Sequence, residues 1–133
     1  MPNSAEHRAK YLANRRLLDT GNGGTPLSTA DRYWAAIVAF YAALHLVDRL
    51  AALDNAHPQT HGDRLHFVSV RHRSIFANYN DLKFASEYAR YGTLNQFDRV
   101  YPGGTVQAVL IDEKLVSIES YVNHIFDPPA AGS

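Results

Sequence analysis

Three features of the sequence predict an all-α fold, an up-and-down bundle of four to five helices in a single domain over residues 1–133. Residues 33–53 begin with a long run that contains no charged side chain, which predicts a buried central helix. Hydrophobic residues near the carboxyl end recur at alternating steps of three and four, as in bundle helices. No segment shows the two-residue alternation of a half-buried strand, so a sheet is not expected.

The composition is that of one globular domain with no overall charge preference. The chain has 133 residues, of which 46% are hydrophobic, and its 13 Lys and Arg balance its 13 Asp and Glu. Cysteine is absent, which excludes disulfides and thiolate chemistry. The amino-terminal residues lack the apolar core of a signal peptide, and the central apolar run is shorter than the ~20 residues of a membrane span. We therefore expect a cytoplasmic protein with no membrane partner.

Capping residues predict where the first two helices begin. Asn3 followed by Glu6 predicts a helix that runs to about Leu18. Glycines and a proline in residues 19–26 predict a connection. Ser28 with a carboxylate three residues later resembles a capping box, so the central helix is expected to begin there.

The same kinds of signal place the next two helices. Thr60, followed three residues later by an aspartate, predicts a third helix from near His61. Asn78 or Asn80 is expected to cap a fourth helix that runs through Arg90 and stops at Gly92. Residues 93–105 are expected to form a loop that packs against the bundle.

The last helix is predicted from its apolar seam. The seam comprises Ala108, Ile111, Leu115, Ile118, Val122 and Ile125. Asp127 and the two prolines after it should end the helix, and a flexible tail is expected from about residue 127.

Histidines are the main candidates for metal binding, but their spacing argues against a site. Four of them lie between residues 57 and 72, yet His57 precedes a proline in a loop, and His61 and His66 are five residues apart and point to different sides of a helix. We therefore expect neither a metal nor a cofactor. His45, on the central helix, is either a buried acid/base or a core histidine that a neighbouring polar group satisfies.

Basic residues on the third and fourth helices predict a cationic face for a nucleic acid or a nucleotide. The candidates are Arg64, Arg71, Arg73, Lys83 and Arg90, together with His61. A binding site of this kind neutralises phosphates, so affinity should fall steeply with added salt.

Three stretches in this order resemble the HEPN (higher eukaryotes and prokaryotes nucleotide-binding) family of helical bundles. FYAALHLVDRL within residues 33–53 resembles the family's tyrosine-alanine-histidine helix. HPQTHGDRLHF at 57–67 resembles its Thr-His helix start, and DLKFASEYARYG at 81–92 resembles the helix that carries its signature. The resemblance covers most of the chain.

The resemblance implies a homodimer and raises the question of catalysis. Ribonucleases of the family carry an arginine, four to six further residues and a histidine on the signature helix, and two copies form a metal-independent site. The matching positions here resemble Lys83 and Tyr88. Lysine lacks the bidentate fork of arginine, and tyrosine, with a reference pKa of about 10, is a poor base at neutral pH.

The sequence therefore predicts a HEPN-like module that binds RNA, a nucleotide or a protein partner, without robust catalysis. The resemblance further implies a nucleotidyltransferase-like partner in a defence or toxin-antitoxin setting. One alternative is a metal-independent endoribonuclease that cleaves through the ribose 2′-hydroxyl, in which Lys83 and Arg90 hold the phosphate and Tyr88 or His45 moves protons. Another is a structural interaction domain, in which aromatic residues of the fourth helix fill a dimer interface instead of stacking on bases.

Overall fold

The computed structural model describes residues 3–21 and 23–127, except the side chain of Leu94, and the regular structure in this part of the chain is entirely helical. The predicted all-α helical bundle is thereby confirmed. The helices are α1 (Ser4–Thr20), α2 (Leu27–Ala30), α3 (Arg32–Leu53), α4 (His61–Arg71), α5 (Phe76–Tyr91) and α6 (Leu94–Val100). A π-helical segment, Val106–Leu115, then continues directly into α7 (Val116–Phe126). A single 3-10 turn, Arg73–Ile75, joins α4 to α5.

Helix α3 is the core of the bundle. The side chain of Asp31 caps it by accepting a hydrogen bond of 3.0 Å from the backbone N–H of Trp34. All of its alanines except Ala52 are fully buried, and α1, α5 and the π-helical segment all pack against it. Small side chains on several faces allow these neighbours to approach closely, which is why one helix contacts so many others.

Helix α3 is also the one described helix that is long and apolar enough to cross a membrane. However, 67% of its most apolar 18-residue window is buried inside the bundle. That degree of burial is typical of a core helix.

The predicted caps of α1 and α4 are present, and two other expected caps are not. Asn3 accepts from the backbone N–H of Glu6 at 2.9 Å, and Thr60 accepts from that of Asp63 at 3.0 Å. The Ser28 hydroxyl, by contrast, donates to the Gln107 side chain at 2.6 Å. Helix α5 begins earlier than predicted, at Phe76, because the preceding 3-10 turn leads straight into it.

Residues 93–105 contain a helix where a loop was predicted. Thr93 and Gln96 form a reciprocal capping box that starts α6, and Phe97 of this helix is fully buried. Phe97 packs against the ring of Tyr33, with centroids 4.9 Å apart. The segment packs against the bundle as expected, but as a helix.

The π-helical segment shifts the apolar seam of the last helix. Ile111, Leu115, Ile118 and Val122 are buried as predicted, but Ala108 is exposed. A π-helix has a wider turn than an α-helix, so the seam starts instead with Val106 and Leu110. The helix ends at Phe126, and the tail predicted after about residue 127 lies outside the described residues from 128 onward.

Candidate functional site

A cavity of about 270 Å³ lies between α1, α3 and the start of α4. Residues 56–59, in the connection that precedes α4, close one side of it. Most of its lining side chains are polar or charged: His7, Lys10, His45, Asp48, His57, Gln59 and Arg64. We call it the histidine pocket. It contains two of the predicted site residues, His45 and Arg64.

Helical spacing explains why these side chains meet. His7 and Lys10 are three residues apart on α1, so they lie on the same side of that helix. His45 and Asp48 have the same spacing on α3. Because α1 packs along α3, the two polar pairs face each other across the contact.

The two imidazoles of His7 and His45 lie close together and lack protein partners. Their ring centroids are 5.9 Å apart, with planes inclined by 30°. The Nδ1 atom of each ring is buried and makes no hydrogen bond with any described residue. Buried polar atoms normally have partners, so this pair is available to bind a ligand.

Burial keeps both imidazoles uncharged near neutral pH. It lowers the pKa of His45 to about 4, although the negative charge of Asp48 opposes this shift. Burial also lowers the pKa of His7, again against the effect of Asp48. At pH 7 each ring therefore offers one donor and one acceptor nitrogen.

Arg64 and Asp48 form a two-bond ion pair at the base of the pocket. The Arg64 Nε donates to Asp48 Oδ1 at 2.8 Å, and its Nη2 donates to Oδ2 at 3.1 Å. Asp48 is buried. This pairing fixes the start of α4 against α3 and leaves the remaining lone pairs of the carboxylate available.

A second basic group lies on the other side of Arg64. Burial lowers the pKa of His61, and the positive charges of Arg64, Lys83 and Arg90 lower it further. Arg90 also donates to the Tyr41 hydroxyl at 3.2 Å. Arg64 thus lies in the histidine pocket and near the basic groups of α5. We call Lys10, Arg64, Lys83 and Arg90, with the uncharged ring of His61 among them, the cationic strip.

The three candidate catalytic residues have different surroundings within one chain. Lys83 forms an ion pair with Glu87 one turn along α5. Tyr88 is half-buried, and its ring packs against Phe84 with centroids 5.6 Å apart. His45 lines the histidine pocket instead.

Arg71 and Arg73 lie away from the cationic strip. Both are exposed, and they line separate surface grooves near the end of α4 and the start of α5. Helix α4 places Arg71 about 15 Å along the axis from His61. The six basic candidates therefore divide into a group around Arg64 and a pair outside it. The groove that Arg71 lines shares Ala56, His57 and Pro58 with the histidine pocket.

His7, Lys10 and Asp48 were not among the residues predicted to form a site. For Lys10 the sequence offered only a weak signal, the basic character of α1. For Asp48 it offered the three-residue spacing from His45. His7 gave no local signal, because it meets His45 only through the packing of α1 on α3. Local sequence patterns could therefore have indicated only the Asp48–His45 pair.

Among known proteins, no family model, no curated protein and no solved structure matches this chain. The resemblance to the HEPN family therefore stays a prediction from the sequence, and the function is argued from the site.

Proposed function

We propose that this protein is a HEPN-like module that binds RNA through the cationic strip and places one phosphate or ribose in the histidine pocket. The observation that carries the proposal is the position of Arg64. Arg64 lines the pocket, and its charge acts on His61 together with the charges of Lys83 and Arg90 on α5. A phosphate chain is proposed to follow these groups. A free nucleotide shares this chemistry, and it would place only its phosphate or ribose in the pocket.

The charges of the strip support binding of a polyanion. Lys10 and Arg90 are exposed, and each can approach a backbone phosphate without leaving its helix. Arg64 and Lys83 are paired with carboxylates, so they add less net positive charge. Their main contribution is to position the ligand. The overall charge of the protein is zero, which makes this local asymmetry the relevant electrostatic feature.

The size and lining of the pocket suit one small group of a ligand, such as a phosphate or a ribose. Sites for complete small molecules are typically about 300–1,000 Å³, and the pocket, at about 270 Å³, lies just below that range. The neutral imidazoles of His7 and His45 and the amide of Gln59 offer both donors and acceptors. This combination suits a sugar hydroxyl beside a phosphate.

Robust catalysis is not part of the proposal. Lys83 is engaged by Glu87, and Tyr88 packs against Phe84, so neither is poised as a proton-transfer group in one chain. The proposed setting is a cytoplasmic homodimer that acts with a nucleotidyltransferase-like partner in defence or as part of a toxin-antitoxin pair. That setting rests on the family resemblance.

Equilibrium binding of a fluorescently labelled single-stranded RNA, measured by anisotropy in the presence of a chelator, tests the proposal. Wild type should bind more weakly as salt rises. Lys10→Glu and Arg90→Glu should each weaken binding about fivefold or more at low salt. Each should also reduce the salt slope by about 0.7, the value for one lost single-strand phosphate contact.

Arg73→Glu is the matched control, because it makes the same single charge reversal at an exposed position outside the strip. It should have the smaller effect. Salt-independent binding, or a larger loss in the control than in the strip variants, would contradict the proposal.

A further inference from the structure

His7, His45 and Asp48 line the histidine pocket, and they lie closer together than the proposed RNA binding requires. One potential ligand atom from each residue lies within 4.8 Å of the other two. In the described part of the chain this is the one group of three or more histidine, cysteine or acidic residues close enough to share a metal ion. The four histidines between residues 57 and 72 do not form such a group.

We propose that His7, His45 and Asp48 bind a zinc ion, with a fourth coordination position open to the histidine pocket. Two imidazoles and one carboxylate are a ligand set that zinc accepts, and three protein ligands leave room for water or a ligand atom. The zinc would share His7 and His45 with the histidine pocket of the proposed RNA binding. It needs no residue of α5, so zinc binding can be measured without RNA.

The geometry requires little movement. Zinc–ligand distances of about 2.0–2.1 Å in a tetrahedron place ligand atoms about 3.3 Å apart. Starting from at most 4.8 Å, the atoms close by about 1.5 Å or less, which side-chain rotation can supply. Two long helices hold the ligands, with His45 and Asp48 three residues apart on α3 and His7 on the packed face of α1.

The buried Nδ1 atoms of the two imidazoles favour a ligand at this cluster. His7 is 8% exposed, and the Nδ1 atoms of both rings are buried without a partner among the described residues. An unpartnered buried nitrogen is costly, and metal coordination of the ring removes part of that cost.

Arg64 is compatible with zinc binding. It donates to both oxygens of Asp48 but occupies only one lone pair on each. Carboxylate ligands are commonly oriented by such hydrogen bonds from a second residue. The charges near the site balance, since Glu6 and Asp48 offset Lys10 and Arg64.

Zinc affinity of the metal-free full-length protein, measured by competition with a chromophoric chelator, tests the site. Wild type should bind one zinc per chain, and Co²⁺ should give the visible absorption of a four-coordinate ion. His7→Gln and His45→Gln should each reduce affinity about 100-fold or more, since even changes to residues behind the ligands cost 10- to 100-fold. His124→Gln, at an exposed position on α7, should leave affinity unchanged.

If a variant fails to fold, nuclear magnetic resonance of the wild-type protein provides a second test that needs no substitution. Zinc should shift the imidazole resonances of His7 and His45 and leave those of His124 unchanged. Binding that is equally strong in His7→Gln and wild type, or zinc shifts confined to exposed histidines, would overturn the site. The chelator in the RNA experiment separates the two proposals, so failure of one leaves the other standing.

Discussion

The guanidinium of Arg64 binds both carboxylate oxygens of Asp48, at 2.8 and 3.1 Å, and thereby ties α4 to the central helix α3. The two side chains are only 15% and 9% exposed, so the pair lies largely out of solvent. Removing one member of such a pair leaves the other without compensation for its lost hydration.

Asp48→Ala should therefore destabilise the protein by about 2–4 kcal/mol, because Arg64 is left shielded and unpaired. Urea denaturation followed by circular dichroism measures this change. Arg73→Ala, at an exposed position, is the control and should change stability by less than about 0.5 kcal/mol. Equal effects of the two substitutions would show that the ion pair does not hold α4.

Helix α5 exposes large aromatic side chains on one face. Phe84 is 53% exposed and Tyr91 is 74% exposed, and their seven-residue separation places them on the same side of the helix. Together with the family resemblance, this face predicts a homodimer in solution. Light scattering at micromolar concentration should give twice the chain mass for wild type.

The double substitution Phe84→Ser with Tyr91→Ser should shift that mass to a monomer. Val70→Ser, which changes a similarly exposed apolar residue on α4, is the control and should leave the mass unchanged. A wild-type monomer at all concentrations would contradict the prediction.

Acidification should reduce stability through His72. The Nδ1 of His72 lies 2.7 Å from the Tyr121 hydroxyl, and burial lowers the pKa of the ring, with Asp54 opposing and Arg71 reinforcing the shift. The unfolded chain takes up this proton near pH 6.5, before the folded protein does. The stability that the neutral ring contributes is complete above pH 6.5 and is lost as pH falls toward the lower folded pKa.

Urea denaturation at pH 7.5 and pH 5.5 measures this loss. His72→Asn should be less stable than wild type at pH 7.5, yet it should lose less stability between the two pH values. His124→Asn should lose as much as wild type. An unchanged pH dependence in His72→Asn would exclude His72 as a contributor.

Purified wild type should not cleave RNA rapidly without metal. A positioned acid or base typically contributes about 10²- to 10⁴-fold, and Lys83 and Tyr88 occupy separate surroundings on α5. Digestion of structured and single-stranded RNA in a chelator checks this. Rapid cleavage abolished by Lys83→Ala or Tyr88→Phe would show that two copies assemble a working site.

The sequence predicted the long helices because each carries its own local signals. Asn3 and Thr60 mark helix starts through capping contacts that involve only three residues, and the buried run of α3 is visible in composition alone. The π-helical segment was not predicted, because its widened turn has no residue signature. Ala108 was therefore predicted to lie in the buried seam, although it is exposed.

The functional site was less predictable because it depends on contacts between distant helices. His45 and Arg64 could be selected as polar residues in helical stretches. The pocket, however, also requires His7, 38 positions earlier, and that partnership exists only once α1 packs on α3. Arg71 and Arg64 are similar in sequence context, and only the fold separates them.

Mapping the RNA contact on isotopically labelled protein tests the central claim most directly. A short single-stranded RNA is titrated in a chelator at low salt, and backbone and side-chain resonances are followed. We predict saturable shifts at Lys10, His45, Arg64 and Arg90, and smaller shifts at Arg71 and Arg73. The absence of binding at low salt, or shifts confined to surfaces away from Arg64, would contradict the assignment of the cationic strip and the histidine pocket as an RNA site.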